Sequence, residues 1–546
     1  MKEIITKQQE QENLFLNTLR TLDKQYLNDH SYDLVDLQID EIDFGTSVGF
    51  LHLEKIVFEK DAKIIDKLSS VYSAIYSERA TLLMKLISDG KSCGVYIGIK
   101  KENVSALSGK VLKGALEGNF PGTTFVDDSG LKGNEIAKLN NDFFENIREI
   151  TTVLGVPSLK NKEEEDIFLQ GIENLILGMQ GKPFSALFIA DPIAISEIED
   201  AKLFYENVYT ELSILKEQTY NLGSNESMAL AKSSTVTIGS SFSESESKSE
   251  SESKSEGKTK GTNKSNAKSP WIGKAIKNKI FGSNNLTGGV SNSTSTTDST
   301  SKSLTNGVTS SINKNIGLTD SNTKTQGSSS GIQFTQENKT VSNALEKLDL
   351  QFERLKKGES VGLWNVGAFF LSKSTPTEMQ HSIVAANIYN GIVKGEETGV
   401  EKSAVRTFDN TSENDSNDFD ALLSSLKNYE IPTIKLHDFD HYNKLATIIT
   451  TNELSIAMSF PHKSFIGMDV IEVAPFGNNI KAVAKEKSVT VGKLYNYEKE
   501  FNVDFNLDLE KFTGHVFVTG STGSGKSNAT YTIIKQLMHN DLSLWL

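Results

Sequence analysis

At 546 residues the chain is too long for one hydrophobic core, so several folded regions are expected. With 37% hydrophobic and 23% charged residues and a mean hydropathy of −0.32, it reads as a soluble protein with folded and disordered parts. No stretch approaches the ~18–20 apolar residues of a membrane span. A net charge of −14 offers no basic surface that advertises nucleic-acid binding, although a few basic loops in the pore of a ring suffice to hold DNA.

The opening segment, MKEIITKQQEQENLFL, lacks the apolar core of a signal peptide. Gly49–Phe58 reads as a strand and Asp66–Ser88 as an amphipathic helix. Gly94–Lys100 reads as a strand, preceded by the lone cysteine, Cys93. One cysteine forms neither an intrachain disulfide nor a cysteine metal site; a reducing, cytoplasmic location fits, with Cys93 as a small core residue. Val104–Glu117 is expected to be a helix ending at Gly118 and the turn Phe120-Pro121-Gly122. Glu163–Gln180 is expected to be a helix stopped by Gly181-Lys182-Pro183. Ser185–Ala190 is a buried strand closed by Asp191-Pro192, and Ile195–Leu222 a long helix.

From about Ser233 to Ser330, Ser, Thr, Asn, Gly and Lys dominate, and a near-repeat SESESKSESESKSEGK lies inside. Such a segment buries too little apolar surface to offset the entropy of ordering its backbone, so disorder is expected. Pro270–Gly282 (PWIGKAIKNKIFG) is an island within it, either a basic amphipathic helix or a few apolar residues in a linker. Beyond it the strand–helix rhythm resumes: a helix over Asn338–Lys357, a strand over Gly362–Ser372, a helix over Pro376–Lys394. The polar stretch is therefore an insertion within or between α/β modules, its ends close in space because a long loop costs little extra to close. Phe408–Asp420 reads as an exposed loop and Ala421–Asn428 as a short helix. Val489–Leu494, Val503–Leu507 and Val516–Thr519 read as short strands.

The fold class expected is α/β and multidomain. An N-terminal α/β domain spans 1–232, the insert 233–335, a second α/β region 336–480, and a short β segment with the start of an ATPase domain 481–546.

Residues 516–527, VFVTGSTGSGKS, carry the pattern G-x-x-x-x-G-K-[ST] from Gly520 to Ser527. The glycines let the backbone fold back so that the amides of Gly520, Ser521, Thr522, Gly523, Ser524 and Gly525 turn towards one phosphate group. Lys526 would neutralise β- and γ-phosphate oxygens of ATP, Ser527 would hold Mg2+, and Asn528 continues the loop into a helix over Asn528–Met538 whose N-terminal dipole lies beneath the phosphates. A chance match arises at roughly 1 in 30,000 positions at average composition. The apolar strand before it and the amphipathic helix after it lower that further.

Other candidates weigh less. His437-Asp438-Phe439-Asp440-His441 places two histidines four apart, a metal pair if helical, but Pro432 is near and no HExxH glutamate is present, which favours solvated histidines. Trp271 and Trp364 are scattered rather than a base-stacking platform. Asp127-Asp128 and Glu163-Glu164-Glu165 read as solvated charges.

The stretch KLYNYEKEFNVDFNLDLEKFTGHVFVTGSTGSGKSNATYTIIKQL resembles the entry into the ATPase domain of the HerA–FtsK superfamily. Leu509, Phe512 and His515 occupy the family's LxxLxxH approach, with Phe512 replacing a leucine. ELSIAMSFPHKSFIGMDVIEVAPFG, NFPGTTF and MQGKPFSALFIADP resemble phrases of such proteins and of conjugation-type secretion ATPases. The resemblance implies a RecA-like P-loop domain, homo-hexamers, ATP and Mg2+, and movement of double-stranded DNA, or sometimes protein, with accessory partners. Family members carry their acidic magnesium ligand, catalytic glutamate and arginine finger downstream. Only eight residues follow the loop's helix here, so weak nucleotide binding and no catalysis are expected of the chain as given. A secretion-type ATPase and a non-catalytic nucleotide-sensing module are the alternative readings.

Overall fold

The structure is a computed structural model that describes residues 24–28, 32–35, 42–60, 63–101, 106–159, 170–214, 216–222, 332–373, 380–395, 401–410, 416–437, 441–474 and 487–539. The expected disordered stretch, Pro270–Gly282, Trp271, Glu163–Glu165 and Leu542–Leu546 lie outside these residues.

In chain order the elements begin with α1 (Gln25–Asn28), β1 (Tyr32–Leu34), β2 (Val48–Glu59), α2 (Ile64–Ser77), β3 (Thr81–Ser88) and β4 (Cys93–Lys100). Next come α3 (Ala106–Asn119), β5 (Thr124–Phe125), α4 (Gly133–Phe144), β6 (Ile147–Leu154), α5 (Glu173–Gly178), β7 (Phe184–Pro192), α6 (Ile195–Ser213) and β8 (Glu217–Leu222). After the insert stand β9 (Ile332–Glu337), α7 (Lys339–Val361), β10 (Leu363–Lys373), α8 (His381–Val393), β11 (Ala404–Asp409), α9 (Ser416–Lys427), β12 (Thr433–Leu436), β13 (His441–Lys444) and β14 (Thr447–Thr450). The last are α10 (Thr451–Ala457), β15 (Asp469–Val473), β16 (Ser488–Asn496), β17 (Lys499–Asp508), a 3-10 turn (Leu509–Thr513) and α11 (Lys526–His539).

The chain divides into two compact units. One comprises Met1–Phe15 with Leu203–Asp349, the other Leu16–Lys202 with Leu350–Leu546. In the first, β8 and β9 pair antiparallel in register, Glu217 opposite Glu337 and Leu222 opposite Ile332. The two ends of the insert are thus held side by side, as loop closure led us to expect.

The second unit is built on a ten-stranded sheet in the order β11-β6-β10-β7-β3-β4-β2-β15, with β14 paired to β10 and β5 to β2. Strands from before and after the insert interleave: β10 lies between β6 and β7, and β15 runs parallel to β2 at one edge. At the level of this sheet, the regions read as 1–232 and 336–480 contribute to one α/β layer structure. We refer to it as the platform.

Its central strands are apolar on both faces because helices cover both. Leu82, Met84 and Leu86 of β3, Phe188 of β7 and Phe370 of β10 share one core with Leu68, Val71, Tyr72 and Ile75 of α2, Leu112 and Leu116 of α3, and Ala385 and Tyr389 of α8. Leu83, Leu187, Ile189, Phe369 and Leu371 join the opposite core with Phe143 of α4 and Leu422 and Leu426 of α9. The strict alternation along each strand is the two-residue period of the pleat. Each Leu, Ile, Val, Met or Phe side chain among them contributes about 1.5–3 kcal/mol on burial. The phrases NFPGTTF and SFPHKSF meet in the first core, with the Phe120 and Phe460 rings 5.7 Å apart. Cys93 is buried there, and burial pushes its thiol up to about 12, which makes it the inert core residue expected. Trp364 is likewise fully buried, its indole N–H donating to Thr451 Oγ1 at 3.0 Å.

Several boundaries differ from the sequence reading. The helix expected over Asp66–Ser88 stops at Ser77, where Arg79 takes a left-handed φ of 53°, and the chain returns as β3. The helix expected over Ile195–Leu222 ends at Ser213 and gives way to β8. In the first case an apolar run compatible with either period is claimed by pairing with β4 and β7, and in the second the short segment EQTYNL is claimed by pairing with β9.

Of the second helix read from sequence after the insert, Pro376–Lys394, residues 376–379 lie outside the described residues, and α8 starts at His381. The Glu149 carboxylate of β6 accepts from the Gln380 amide at 3.1 Å and the Ser382 hydroxyl at 2.7 Å, capping the first turn from outside. The described residues of the loop read over Phe408–Asp420 are largely regular: Phe408 is a buried strand residue and α9 begins at Ser416. Of the helix read over Glu163–Gln180, residues 163–169 lie outside the described residues and α5 covers Glu173–Gly178.

Candidate nucleotide-binding site

The segment from β16 to α11 is built differently from the platform. β16 and β17 form an antiparallel hairpin, Ser488 opposite Asp508 and Asn496 opposite Lys499. The 3-10 turn begins at Leu509, with the Asp508 carboxylate accepting from the Glu510 amide at 3.1 Å. His515 lies just beyond it and is exposed.

Val516–Thr519 was expected to be a strand. It is paired with no strand among the described residues, and Val516, Phe517 and Val518 are 55%, 88% and 38% exposed. An apolar run of this kind is stable when sheet neighbours flank it and helices cover it, and neither is present around it among the described residues.

Gly520 through Gly525 form an open loop. Gly523 and Gly525 have φ of +84° and +85°, a region that costs other residues steric strain. Gly520 is required for a different reason: a methyl group on its Cα would overlap the Ser524 hydroxyl. The loop closes on itself through the Ser524 amide, which donates to the Ser521 carbonyl at 3.2 Å.

α11 begins at Lys526, and the Ala529 amide reaches back to the Gly525 carbonyl at 2.9 Å. The amides before Ala529 stand at a helix N-terminus and lack intrahelical acceptors by helix geometry. The Lys526 ammonium donates to the carbonyl oxygens of Gly520 at 2.8 Å and Ser521 at 2.6 Å, so its charge lies across the mouth of the loop. Ser521, Thr522, Ser524, Ser527 and Asn528 are exposed. The nine residues singled out from the sequence, Gly520 to Asn528, are therefore contiguous here as a glycine loop and a helix start. α11 buries Leu537 and lies against β16.

These residues fit a nucleoside triphosphate. The loop is open, its glycines keep side chains out of the cradle, and one cation and a helix N-terminus converge on it. Ser527 supplies the hydroxyl suited to a magnesium ion held with the phosphates.

The other sequence candidate does not assemble. His437 follows β12 and His441 opens β13, two strands paired antiparallel, so the pair does not share one helix face. His437 Nε2 lies 3.0 Å from the Asp33 carboxylate, and no cluster suited to a metal occurs among the described residues. A cavity bordered by Gly155, Asn390 and Ser403 belongs to the platform and shares no residue with the loop. No helix among the described residues is long and apolar enough to cross a membrane.

Sequence reasoning missed Lys85. Its ammonium is fully buried, 3.1 Å from Asn140 Oδ1, and lies over the rings of Phe143 (4.3 Å), Tyr429 (4.7 Å), Phe50 and Phe144 (5.5 Å each). Burial holds its amine well below the usual 10.5. In the sequence it is one polar residue in the run TLLMKLIS, and nothing local shows which rings surround it.

A glycine loop feeding a lysine-led helix is the arrangement expected of a P-loop nucleotide-binding segment. Residues 489–544 match the family model described as Helicase HerA, central domain, so this segment is similar to the HerA-like ATPases. A search of curated proteins finds no match to the chain.

Proposed function

We propose that the chain binds Mg-ATP at Gly520–Asn528 and serves as the N-terminal part of a HerA/FtsK-type motor that couples ATP hydrolysis to movement of double-stranded DNA. The observation that carries this reading is the convergence of the Lys526 ammonium, two left-handed glycines and the α11 N-terminus on one exposed loop. In it, the amides of Ser521 to Lys526 hold the phosphates, Lys526 leaves the Gly520 and Ser521 carbonyls for phosphate oxygens, and Ser527 orients Mg2+. The bound metal supplies charge neutralisation at the phosphoryl oxygens. The platform acts as a docking or regulatory module in a cytoplasmic homo-hexamer, with accessory proteins as further partners. The exposed Val516–Val518 run agrees with a sheet completed by further strands.

Titration of a fluorescent ATP analogue with Mg2+ against the chain and its Lys526→Ala variant tests the binding step. Saturable binding that weakens at least tenfold in the variant supports the reading. Equal binding, or none to either, rejects the loop as a nucleotide site. DNA-stimulated phosphate release by the complete protein separates a DNA motor from a secretion ATPase.

A further inference from the structure

The hairpin β16–β17 touches the platform at its tip, and the tip is built for that contact. Asn496 and Lys499 face each other across a two-residue turn, Tyr497–Glu498, with φ of 49° and 57°. Both signs belong to the type I′ turn, which matches strand twist but favours Asn and Gly over Tyr and Glu. Steric cost is therefore accepted at the residues that reach the platform. The Tyr497 hydroxyl donates to the Glu59 carboxylate at the end of β2. Its carbonyl oxygen lies against Gly122, where a methyl group would overlap both it and Val57. Asn496 is buried at 7% exposure, and its side-chain oxygen accepts from the Tyr497 amide at 2.9 Å. Across the tip the Tyr495 hydroxyl donates to Glu498 at 3.0 Å.

The other end of the same hairpin carries the phosphate loop. β17 runs directly into the 3-10 turn and the loop, and α11 lies against β16. We propose that Tyr497, Glu59 and Gly122 form the docking joint that positions the phosphate-loop segment on the platform, with Tyr497 as a positioning residue. The proposal deepens the nucleotide-binding reading and takes its motor role from it, while the contacts of the joint themselves involve no residue of the loop. Gly122, read from sequence as part of a helix-terminating turn, is on this view required by the close approach of the hairpin.

The test is hydrogen exchange by mass spectrometry on the full chain without nucleotide. Tyr497→Phe and Glu59→Gln each speed exchange over residues 488–508 about tenfold, the loss expected for one hydrogen bond to a charged group. The double variant goes no further than either single one. Gly122→Ala gives at least the same acceleration. Amides of β3, β7 and β10 keep their protection, which shows that the platform stays folded.

Wild-type exchange over 488–508 in Tyr497→Phe, or additive effects of Tyr497→Phe and Glu59→Gln, overturns the joint. Should Gly122→Ala unfold the platform, Tyr497→Phe and the double variant still decide. A second arm adds the fluorescent ATP analogue with Mg2+. On binding, wild type changes exchange at residues 120–124; Tyr497→Phe binds within about threefold but leaves 120–124 unchanged, a response that a merely local structural role would not abolish. If Tyr497→Phe keeps the wild-type change, positioning through Tyr497 is overturned. If the analogue does not bind at all, the nucleotide reading falls and the first arm decides the joint alone.

Discussion

The Lys526 ammonium sits 2.8 Å from the carbonyl oxygen of Gly520, six residues earlier in the chain, and so closes the phosphate loop over itself. The same group donates to the Ser521 carbonyl. A cation satisfied by neutral carbonyls exchanges readily for phosphate oxygens, because charge-assisted hydrogen bonds to anions are about twice as strong as those to neutral acceptors.

Lys526→Ala removes this contact without touching the platform. Its expected outcome is an unchanged unfolding transition by circular dichroism together with at least tenfold weaker binding of inorganic triphosphate. Phosphate anions should bind more weakly as salt rises in wild type, since the loop is exposed.

Gly520→Ala and Gly523→Ala should behave differently although both alter the loop. At Gly523 a methyl group meets open space, so only the φ of +84° opposes it, at about 1–2 kcal/mol. At Gly520 the obstacle is the Ser524 hydroxyl. Ser524→Ala is therefore expected to restore triphosphate binding to Gly520→Ala and to leave Gly523→Ala impaired, as read by the same titration.

Lys85 should govern part of the alkaline pH dependence of stability. The folded amine is held well below 10.5 by burial, whereas the unfolded amine titrates near that value. Between the two the unfolded chain binds a proton that the folded chain does not, so stability rises with pH through this window. One proton gives a slope of up to about 1.4 kcal/mol per pH unit. Urea unfolding of wild type and Lys85→Met across neutral to alkaline pH should show the difference slope vanish in the variant. Parallel curves would mean that the Phe143 and Tyr429 ring faces keep the lysine charged.

Replacing residues 223–331 with a four-residue Asn/Gly turn should leave the protein folded. Leu222 and Ile332 already face each other in the ribbon, so the turn spans a gap the structure has closed. Loop closure costs about 0.6 kcal/mol per doubling of length, so the shorter loop stabilises the ribbon. Thermal unfolding of the deletion variant is expected at or above the wild-type temperature; a lower one would assign the insert a packing role.

The conformation of the glycine loop was legible in the sequence because its requirements are local. Gly523, Gly525 and Lys526 act through backbone conformation and a reach of six residues, and the pattern names those requirements. The strands Gly94–Lys100, Ser185–Ala190 and Gly362–Ser372 were legible for a similar reason, as apolar runs bounded by turn residues. Thr81–Ser88 and Glu217–Leu222 were misread because helix and strand periods are hard to separate in short runs; pairing with β4 and β7, and with β9, decided them. Trp364 read correctly as a core residue, but no local pattern tells that Thr451 would meet its indole.

By itself the sequence determined the α/β class, the polar insert and its closely spaced ends, and the P-loop with the family resemblance it carries. Tertiary structure alone decided that β10 enters between β6 and β7, that four aromatic rings enclose Lys85, and that Tyr497 meets Glu59 and Gly122. The physical reason is range. Hydrogen-bond register and burial join residues hundreds of positions apart, and their free energies belong to the assembled sheet rather than to any window of the chain.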